Sequence, residues 1–212
     1  ANANRSITRD QERLSLAACL AGVMSLEDAL RLVVARGALV QAMPEGDMLG
    51  VPLSERKTLE MLPPELSLAA VNGDELCVVS GPREAVIAFN ARLDAMGVVG
   101  RLLHTSHAFH SAMMEPMLDA FRAAVHRVKL HAPEAPYLSN VTGTWITAED
   151  ATDPEYWTRH LCRTVRFADC LRTFLEEPGR LLVVVGPRRT LGTFALPAGG
   201  PQPSVLASLP LP

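Results

Sequence analysis

The apolar positions of this chain change their spacing along its length, and the changes predict where helices and strands lie. Residues 13–41 carry apolar side chains three and four positions apart, which predicts two successive helices. Ser25, followed three residues later by Asp28, resembles a capping box and predicts that Ser25 is the N-cap of the second helix. The middle of the chain switches to short apolar runs. Residues 181–185 are five consecutive apolar residues, which predict a parallel strand buried on both faces.

The middle region predicts the order strand, helix, strand, strand, helix, strand. Its predicted elements are strand 48–53, helix 54–61, strand 66–71, strand 77–80, helix 82–96 and strand 98–104. The dipeptide Asn72-Gly73 between the second and third strands is a strong turn signal. This order is the βαββαβ unit of a ferredoxin-like fold. We therefore predict an α/β protein in which a ferredoxin-like small subdomain, residues 47–106, is inserted into a larger subdomain.

The larger subdomain is predicted to comprise residues 1–46 and 107–194. Its second part is predicted to hold helices at 113–127, 156–161 and 167–175 and an acidic, proline-containing loop at 147–154. Residues 195–212 are rich in proline and predict an extended linker on the surface.

The composition narrows the class of protein. Hydrophobic residues make up 48% of the sequence and charged residues 20%, which is typical of a globular protein with a substantial core. The net charge is -3, so there is no basic excess of the kind that nucleic acids or anionic membranes attract. No apolar run is long enough to span a bilayer. The four cysteines include no CxxC pair, which predicts reduced thiols and a cytoplasmic location.

Three histidines, His104, His107 and His110, lie close together in the sequence. Histidines at this spacing on one helix face can share a zinc ion. Here they fall in a predicted strand-to-helix loop, where their rings point in different directions, so we predict no metal site. His110 directly precedes the predicted helix at the junction of the two subdomains. An imidazole there suits a general base, because its pKa lies near the working pH. A surface or helix-capping histidine is the alternative from spacing alone.

Six sequence blocks resemble, in order, blocks of the acyltransferase domains of modular type I polyketide synthases, the malonyl-CoA:acyl-carrier-protein transacylase family. The blocks are LSLAACLAGVMSLEDALRLVVARG, NGDELCVVSGP, HAFHSAMMEPM, SNVTG, DPEYWTRHLCRTVRF and VVVGPRRTL. The resemblance covers residues 16–191 and omits the N-terminal part of a complete family domain. It implies that the large subdomain is a partial α/β-hydrolase-like fold around the ferredoxin-like insertion.

The resemblance also implies a chemistry. The family transfers a carboxyacyl group from coenzyme A to a serine and then to the phosphopantetheine thiol of an acyl carrier protein, by ping-pong catalysis with a serine and a histidine. It implies that His110 is the catalytic base, that the backbone carbonyl of His160 orients its ring, and that Arg36 binds the malonyl carboxylate. A planar guanidinium pairs with a carboxylate through two hydrogen bonds. A solvated arginine at a helix end is the alternative for Arg36.

The cofactors and partners implied by the resemblance are few. No metal or redox cofactor is expected, and coenzyme A arrives as the carrier of the substrate, malonyl-CoA. The expected partners are the acyl carrier protein and the neighbouring ketosynthase domain with its linker.

The motif HAFH at residues 107–110 resembles the form found in malonyl-selective members of the family, whereas methylmalonyl enzymes more often carry YASH. His107 and Phe109 are therefore implied to select the extender unit. The physical reason is volume, because the Phe109 side chain would fill the space that an α-methyl branch needs. Discrimination of one methyl group contributes about 1–3 kcal/mol.

The nucleophile of the family is missing from its expected place. It lies in a GHSxGE turn before the first helix, and this sequence contains no GxSxG. The family spacing leads to Gln11, and nearby Ser6 has no glycine neighbours. The upstream glutamine block of the oxyanion hole is absent as well. Arg188 also stands where the family has a glycine after Gly-Pro.

Three explanations of the missing serine stay open. The chain is a fragment in which residues 1–12 are atypical or foreign, or another chain supplies the nucleophile, or the domain is degenerate. We favour the fragment, because the blocks that follow are kept. Two other functions also stay open: a non-catalytic structural or docking domain of a polyketide synthase and, without the resemblance, a ligand-sensing ferredoxin-like module.

Overall fold

The computed structural model describes residues 10–185 and 204–208, which form an α/β fold. Its elements are α1 (Asp10–Leu20), α2 (Leu26–Gln41), β1 (Asp47–Val51), α3 (Glu55–Met61), β2 (Ser67–Gly73), β3 (Leu76–Gly81), α4 (Arg83–Ala95), β4 (Arg101–Leu103), a 3₁₀ helix (Ala112–Met117), α5 (Leu118–Val125), α6 (Ala148–Thr152), α7 (Pro154–Arg159), α8 (Phe167–Leu175), β5 (Leu181–Val184) and β6 (Ser204–Ala207). Among these residues, no helix is both long and apolar enough to cross a bilayer.

The middle region forms a four-stranded sheet in the order β2-β3-β1-β4. All of its strand pairs are antiparallel, and in the β1–β3 pair Met48 lies opposite Ser80. Helix α3 follows β1 and helix α4 follows β3. The predicted ferredoxin-like βαββαβ unit is therefore confirmed. We call β1–β4 with α3 and α4 the small lobe, and α1, α2, the 3₁₀ helix and α5–α8 the large lobe. The predicted limits of the subdomains stay predictions.

Both faces of the small-lobe sheet are buried, each against a different hydrophobic core. Alternate residues of a strand point to opposite faces, so neighbouring residues enter different cores. On β1, Met48 packs into the core of the large lobe, whereas Leu49 and Val51 pack into the core of the small lobe. On β3, Val78 belongs to the first core and Val79 to the second. Burying an aliphatic side chain contributes about 1.5–3 kcal/mol. The sheet therefore joins the two lobes through hydrophobic contacts on both sides.

The core of the large lobe centres on two aromatic residues of α7. Tyr156 and Trp157 are almost completely buried. Their polar atoms are satisfied inside the protein: the Tyr156 hydroxyl donates to Ser139 Oγ at 2.8 Å, and the Trp157 indole donates to the carbonyl of Ala151 at 3.1 Å. Such bonds remove the cost of burying a polar group. They fix α7 and therefore the chain segment that follows it.

Residues 160–166, which we call the linking segment, run from α7 along the outer edge of β2. Val165 accepts a hydrogen bond from the N–H of Val71 and donates one to the carbonyl of Ala69, both at 2.9 Å. Arg166 forms ion pairs with carboxylates on α3 and α8. The linking segment therefore belongs to the large lobe in sequence but is bound to the small-lobe sheet.

Two predicted elements are shorter or less regular in the structure. The strand predicted over residues 98–104 is reduced to β4, because Gly97 takes a left-handed turn (φ 75°) after α4 and the chain becomes extended only later. The helix predicted over residues 113–127 begins as the 3₁₀ helix and becomes α-helical at Leu118. Pro116 explains this difference, because proline lacks an N–H and its ring clashes with the carbonyl four residues earlier.

The acidic loop predicted at residues 147–154 instead contains α6, and α7 begins at Pro154 rather than at residue 156. The side chains of Thr147 and Asp153 each accept a backbone N–H of the turn that follows, at 3.1 and 2.8 Å. Both residues are therefore helix N-caps, and proline suits the first position of a helix. Capping explains why a polar, proline-containing stretch is helical.

The C-terminal strand is parallel as predicted, but the prediction that it is buried on both faces is wrong. Strand β5 pairs with β6, so residues 204–207 of the predicted linker form a strand. Leu181 and Val183 are 48% and 52% exposed. Within the described residues this sheet has only two strands, and neither hydrophobic core includes β5.

Gly46, directly before β1, lies where the two lobes meet. A Cβ atom there would be 2.8 Å from both the Ala108 Cβ and the Gly81 carbonyl oxygen. We expect Gly46→Ala to lower the free energy of unfolding by about 1–3 kcal/mol, because the backbone would have to shift. Gly37→Ala in α2 is the control, because a Cβ atom there would meet nothing within 4 Å. It should raise the free energy of unfolding by about 0.5–1 kcal/mol. Urea titrations measure both, and equal effects would contradict this close contact.

Candidate active site

His110 lies in the loop between β4 and the 3₁₀ helix and has an unusual backbone. Among the described residues, it is the only residue other than glycine with a positive φ (57°). This left-handed conformation costs about 1–3 kcal/mol in a residue with a Cβ and persists only where neighbouring groups hold it. Ser111 is one such group: its hydroxyl donates to the carbonyl of Ala108 at 2.6 Å and accepts the N–H of Met113 at 3.2 Å.

The imidazole of His110 is oriented by the linking segment. Its Nδ1 lies 3.1 Å from the carbonyl oxygen of His160 and 3.1 Å from that of Arg163. A carbonyl oxygen can only accept, so Nδ1 carries the proton and donates it. In the neutral ring, Nε2 therefore keeps its lone pair. The His160 carbonyl is the acceptor named from the family resemblance, and its role in orienting a catalytic ring stays a prediction. The Arg163 carbonyl is a second acceptor that the sequence did not indicate.

Burial sets the protonation state of His110. The residue is 5% exposed, and burial, followed by the positive charge of Arg36, lowers its pKa from 6.5 to about 4. The carbonyls of Arg163 and His160 act in the opposite direction but are weaker. The ring is therefore neutral at neutral pH and is able to accept a proton.

A second imidazole, that of His160, packs against the first. The ring centroids of His110 and His160 are 5.4 Å apart and their planes meet at 84°. Neither ring nitrogen of His160 has a hydrogen bond within the part of the chain that the structure describes. Burial lowers its pKa well below the ordinary value, and the charges of His110 and Arg36 act in the same direction. Both rings therefore favour the neutral form.

Arg36 lies on the inward face of α2. The buried residues of this helix are Ala29, Leu32, Arg36 and Val40, which recur at helical spacing. Arg36 is 8% exposed, so the alternative of a solvated arginine at a helix end is wrong. Its guanidinium carbon lies 5.4 Å from the centroid of the Phe109 ring, within the range of a cation–π contact. The structure thus brings Arg36, Phe109 and His110 together in one buried site.

The other two histidines of the loop differ in position. His107 is buried, its Nδ1 lies 2.8 Å from Ser106 Oγ, and its ring meets the Phe109 ring at a centroid distance of 6.3 Å. His104 is exposed. The three rings do not converge, and within the described residues no three His, Cys, Asp or Glu side chains could hold one metal ion.

The expected nucleophile has no counterpart among the residues that the structure describes. Gln11, where the family spacing leads, lies in α1. Ser6 and Arg188 lie outside the described residues.

Ser80 on β3 is a residue of the site that sequence analysis missed. It is completely buried, and its hydroxyl donates to the carbonyl of Phe109 at 2.7 Å. The signal for it was present: a serine within an apolar strand must find an acceptor when it is buried. The sequence could not indicate which acceptor it finds.

A family model described as an acyl transferase domain matches residues 15–191. The chain belongs to this acyltransferase family. The match begins within α1 and continues through both lobes to a point beyond β5. It therefore includes every site residue described above.

The relatives of this acyltransferase-family chain include polyketide synthases and their solved acyltransferase domains. It is 41% identical over 181 residues to a component of the phenolphthiocerol/phthiocerol polyketide synthase of Mycobacterium tuberculosis, and the match covers 85% of this chain and 12% of that protein. The solved acyltransferase domain from the second module of the salinomycin polyketide synthase has 42% identity and a TM-score of 0.86, covering 92% of this chain and 47% of the solved one. The acyltransferase domain of SpnD, solved in complex with 2-(pent-4-yn-1-yl)malonyl, has 38% identity and a TM-score of 0.86, covering 91% and 47%.

The comparisons confirm the α/β fold and the polyketide synthase acyltransferase family expected from the sequence blocks. The chain spans only 12% of the mycobacterial polyketide synthase protein and 47% of the solved domains that it matches.

The low pKa of His110 predicts a pH-dependent stability. Because the pKa is about 4 in the folded protein and 6.5 ordinarily, the unfolded chain binds the proton first as the pH falls. The neutral His110 therefore contributes to the free energy of unfolding fully above pH 6.5, and this contribution is lost as the pH falls toward 4. We expect His110→Asn, which tolerates a left-handed backbone, to lose less unfolding free energy than the parent between about pH 7 and about pH 5. Urea titrations at both pH values measure the difference, and an unchanged loss would contradict the burial of this ring. The lowered pKa of His160 leaves a residual slope in the variant.

Proposed function

We propose that this chain supplies the catalytic base and the carboxylate-binding arginine of a malonyl-selective acyltransferase domain, which loads a malonyl unit from coenzyme A onto an acyl carrier protein. The observation that carries the proposal is that the Arg36 guanidinium is buried 5.4 Å from the ring of Phe109, the residue next to His110, whose own buried ring has its Nδ1 bound to two backbone carbonyls. A base beside a buried cation fits an anionic acyl group that must be held while its thioester reacts.

In the first half-reaction, His110 Nε2 accepts the proton of a serine hydroxyl. The serine oxygen forms a bond to the thioester carbon, the carbon–sulfur bond breaks, and the proton passes from Nε2 to the departing sulfur of coenzyme A. The carbonyls of His160 and Arg163 hold Nδ1–H at 3.1 Å, which keeps Nε2 as the basic nitrogen and stabilises the ring when it is charged.

In the second half-reaction the same nitrogen works on the carrier protein. The phosphopantetheine thiol gives its proton to His110 Nε2, the sulfur attacks the acyl ester, and the proton returns to the serine oxygen as the ester bond breaks. The free thiol of coenzyme A and the malonyl thioester of the carrier protein are the products. One imidazole therefore serves both halves of the cycle.

Arg36 links substrate binding to the basicity of His110. The positive charge of Arg36 is one cause of the low pKa of His110. A malonyl carboxylate bound to the guanidinium would neutralise that charge and so raise the pKa of the imidazole toward the range in which a general base is effective. In this proposal the substrate itself tunes the base.

Selectivity for malonyl is proposed for His107 and Phe109. The Phe109 ring is buried between contacts to the Arg36 guanidinium and the His107 ring, so it has little freedom to move aside for a methyl branch. A side chain held in place in this way can discriminate one methyl group by about 1–3 kcal/mol. His107 and Phe109 would therefore favour malonyl-CoA over methylmalonyl-CoA.

The sequence contains no GxSxG, so this proposal takes the serine from outside these 212 residues. In this proposal a GHSxGE-bearing segment completes the site, and the acyl carrier protein and the neighbouring ketosynthase domain with its linker are the partners of the complete protein. The missing motif also favours a second function, a non-catalytic structural or docking domain of a polyketide synthase.

Calorimetry with malonyl-CoA tests the carboxylate-binding role without requiring the serine. We expect the chain to bind malonyl-CoA more tightly than acetyl-CoA, and Arg36→Met to raise the Kd for malonyl-CoA by about 10- to 100-fold, because a hydrogen-bonded ion pair contributes about 1.5–3 kcal/mol. Arg31→Met is the matched control, since Arg31 lies on the same helix with its side chain 66% exposed. Equal affinity for the two thioesters would contradict the proposal.

Covalent labelling separates the enzyme from the docking domain. The complete protein that contains this chain is incubated with labelled malonyl-CoA, and its intact mass is measured. An acyl adduct on a serine that disappears in His110→Gln supports the enzyme. No adduct at saturating malonyl-CoA would support the docking function instead.

A further inference from the structure

Ser80 connects the small-lobe sheet to the loop that carries His110. It lies opposite Met48 in the β1–β3 pair, and Met48 packs into the core of the large lobe. Since paired residues share a face of the sheet, Ser80 faces the large lobe as well. Its hydroxyl donates to the carbonyl of Phe109, at 2.7 Å across 29 residues of sequence. Ser80 is a buried polar residue among the apolar side chains of that face.

The acceptor of this bond lies next to the strained residue. The carbonyl of Phe109 belongs to the peptide group whose nitrogen is that of His110, and His110 has a φ of 57°. Fixing that peptide plane fixes one side of the left-handed turn. On the other side, Ser111 binds the carbonyl of Ala108 at 2.6 Å. Two buried hydroxyls therefore hold the backbone around His110.

The hydrogen bond from Ser80 attaches the backbone of His110 to the sheet that also holds the acceptors of its ring. The linking segment, which supplies the carbonyls of His160 and Arg163, is bound to the β2 edge through Val165. Strand β3, which carries Ser80, pairs with β2. The backbone of His110 and the acceptors of its ring are thus attached to the same sheet. Movement of the loop relative to the sheet would break the contacts of the ring.

We propose that Ser80 is a positioning residue, which holds the Phe109–His110 peptide in its left-handed turn and thereby keeps the His110 imidazole buried against the carbonyls of the linking segment. This inference rests on the proposed function, because it gives Ser80 a role in aligning the base. Ser80 itself touches neither substrate nor reacting atoms.

The ring nitrogens of His110 report on this role directly. We expect nuclear magnetic resonance of histidine-labelled protein, with His110 assigned by His110→Asn, to show a titration midpoint in Ser80→Ala about one pH unit above that of the parent. The reason is that burial is the main cause of the low pKa, and a loosened loop admits water to the ring. Arg36 on α2 and His160 in the linking segment face the ring and are unchanged in the variant. Ser80→Cys, with a weak S–H donor, should give an intermediate shift.

Thr58→Val is the matched control. Thr58 is another completely buried hydroxyl of the small lobe, on α3, where it faces the Cys77 thiol on β3. We expect Ser80→Ala to lower the stability toward urea and to shift the His110 midpoint. Thr58→Val, which removes a buried hydroxyl without a hydrogen bond among the described residues, should leave the His110 midpoint unchanged. A shift of equal size in the two variants, or no shift in a folded Ser80→Ala, would overturn the positioning role.

The titration needs no acyl transfer, so its result is separate from the test of the proposed function. A parent protein that does not distinguish malonyl-CoA from acetyl-CoA contradicts the function and leaves the titration readable. An unchanged titration in Ser80→Ala contradicts the positioning role even if malonyl-CoA binds selectively.

Discussion

The arrangement of the site depends on one constraint, which is that the small-lobe sheet is buried on both faces. Met48 and Val78 point into one core while Leu49 and Val79 point into the other, so the sheet cannot slide or turn without exposing apolar surface. A one-residue change of register would exchange the two sets. The sheet is therefore the fixed frame to which both the loop that carries His110 and the linking segment are attached.

Within this frame, burial is the main cause of the electrostatics of the two imidazoles. It lowers the pKa of both His110 and His160, and the permanent charge of Arg36 acts in the same direction, so both rings are neutral at neutral pH. A neutral imidazole with its Nδ1–H bound to backbone carbonyls presents one defined basic nitrogen. The tautomer is thus fixed by carbonyls of the linking segment, without a carboxylate partner in the described residues.

The sequence predicted the parts of the fold that local periodicity controls. The βαββαβ order followed from alternation and turn residues, and the N-cap at Ser25 from a short motif; its hydroxyl accepts the N–H of Asp28. The burial of β5 was predicted incorrectly, because an apolar run does not reveal how many strands will flank it. His110 and Arg36 could be assigned only through the family resemblance. Their proximity depends on tertiary packing, and so do the Ser80 bond and the carbonyl of Arg163.

The linking segment has a further consequence for the solution behaviour of this protein. Val165 binds the N–H of Val71 and the carbonyl of Ala69, and so occupies one donor and one acceptor that the outer edge of β2 would otherwise offer to another molecule. At the opposite side, β4 is only three residues long, which leaves little edge to pair with. The segment whose carbonyls accept from the imidazole thus also covers part of the sheet edge, so a change in its backbone would alter both the surroundings of the ring and the exposure of that edge.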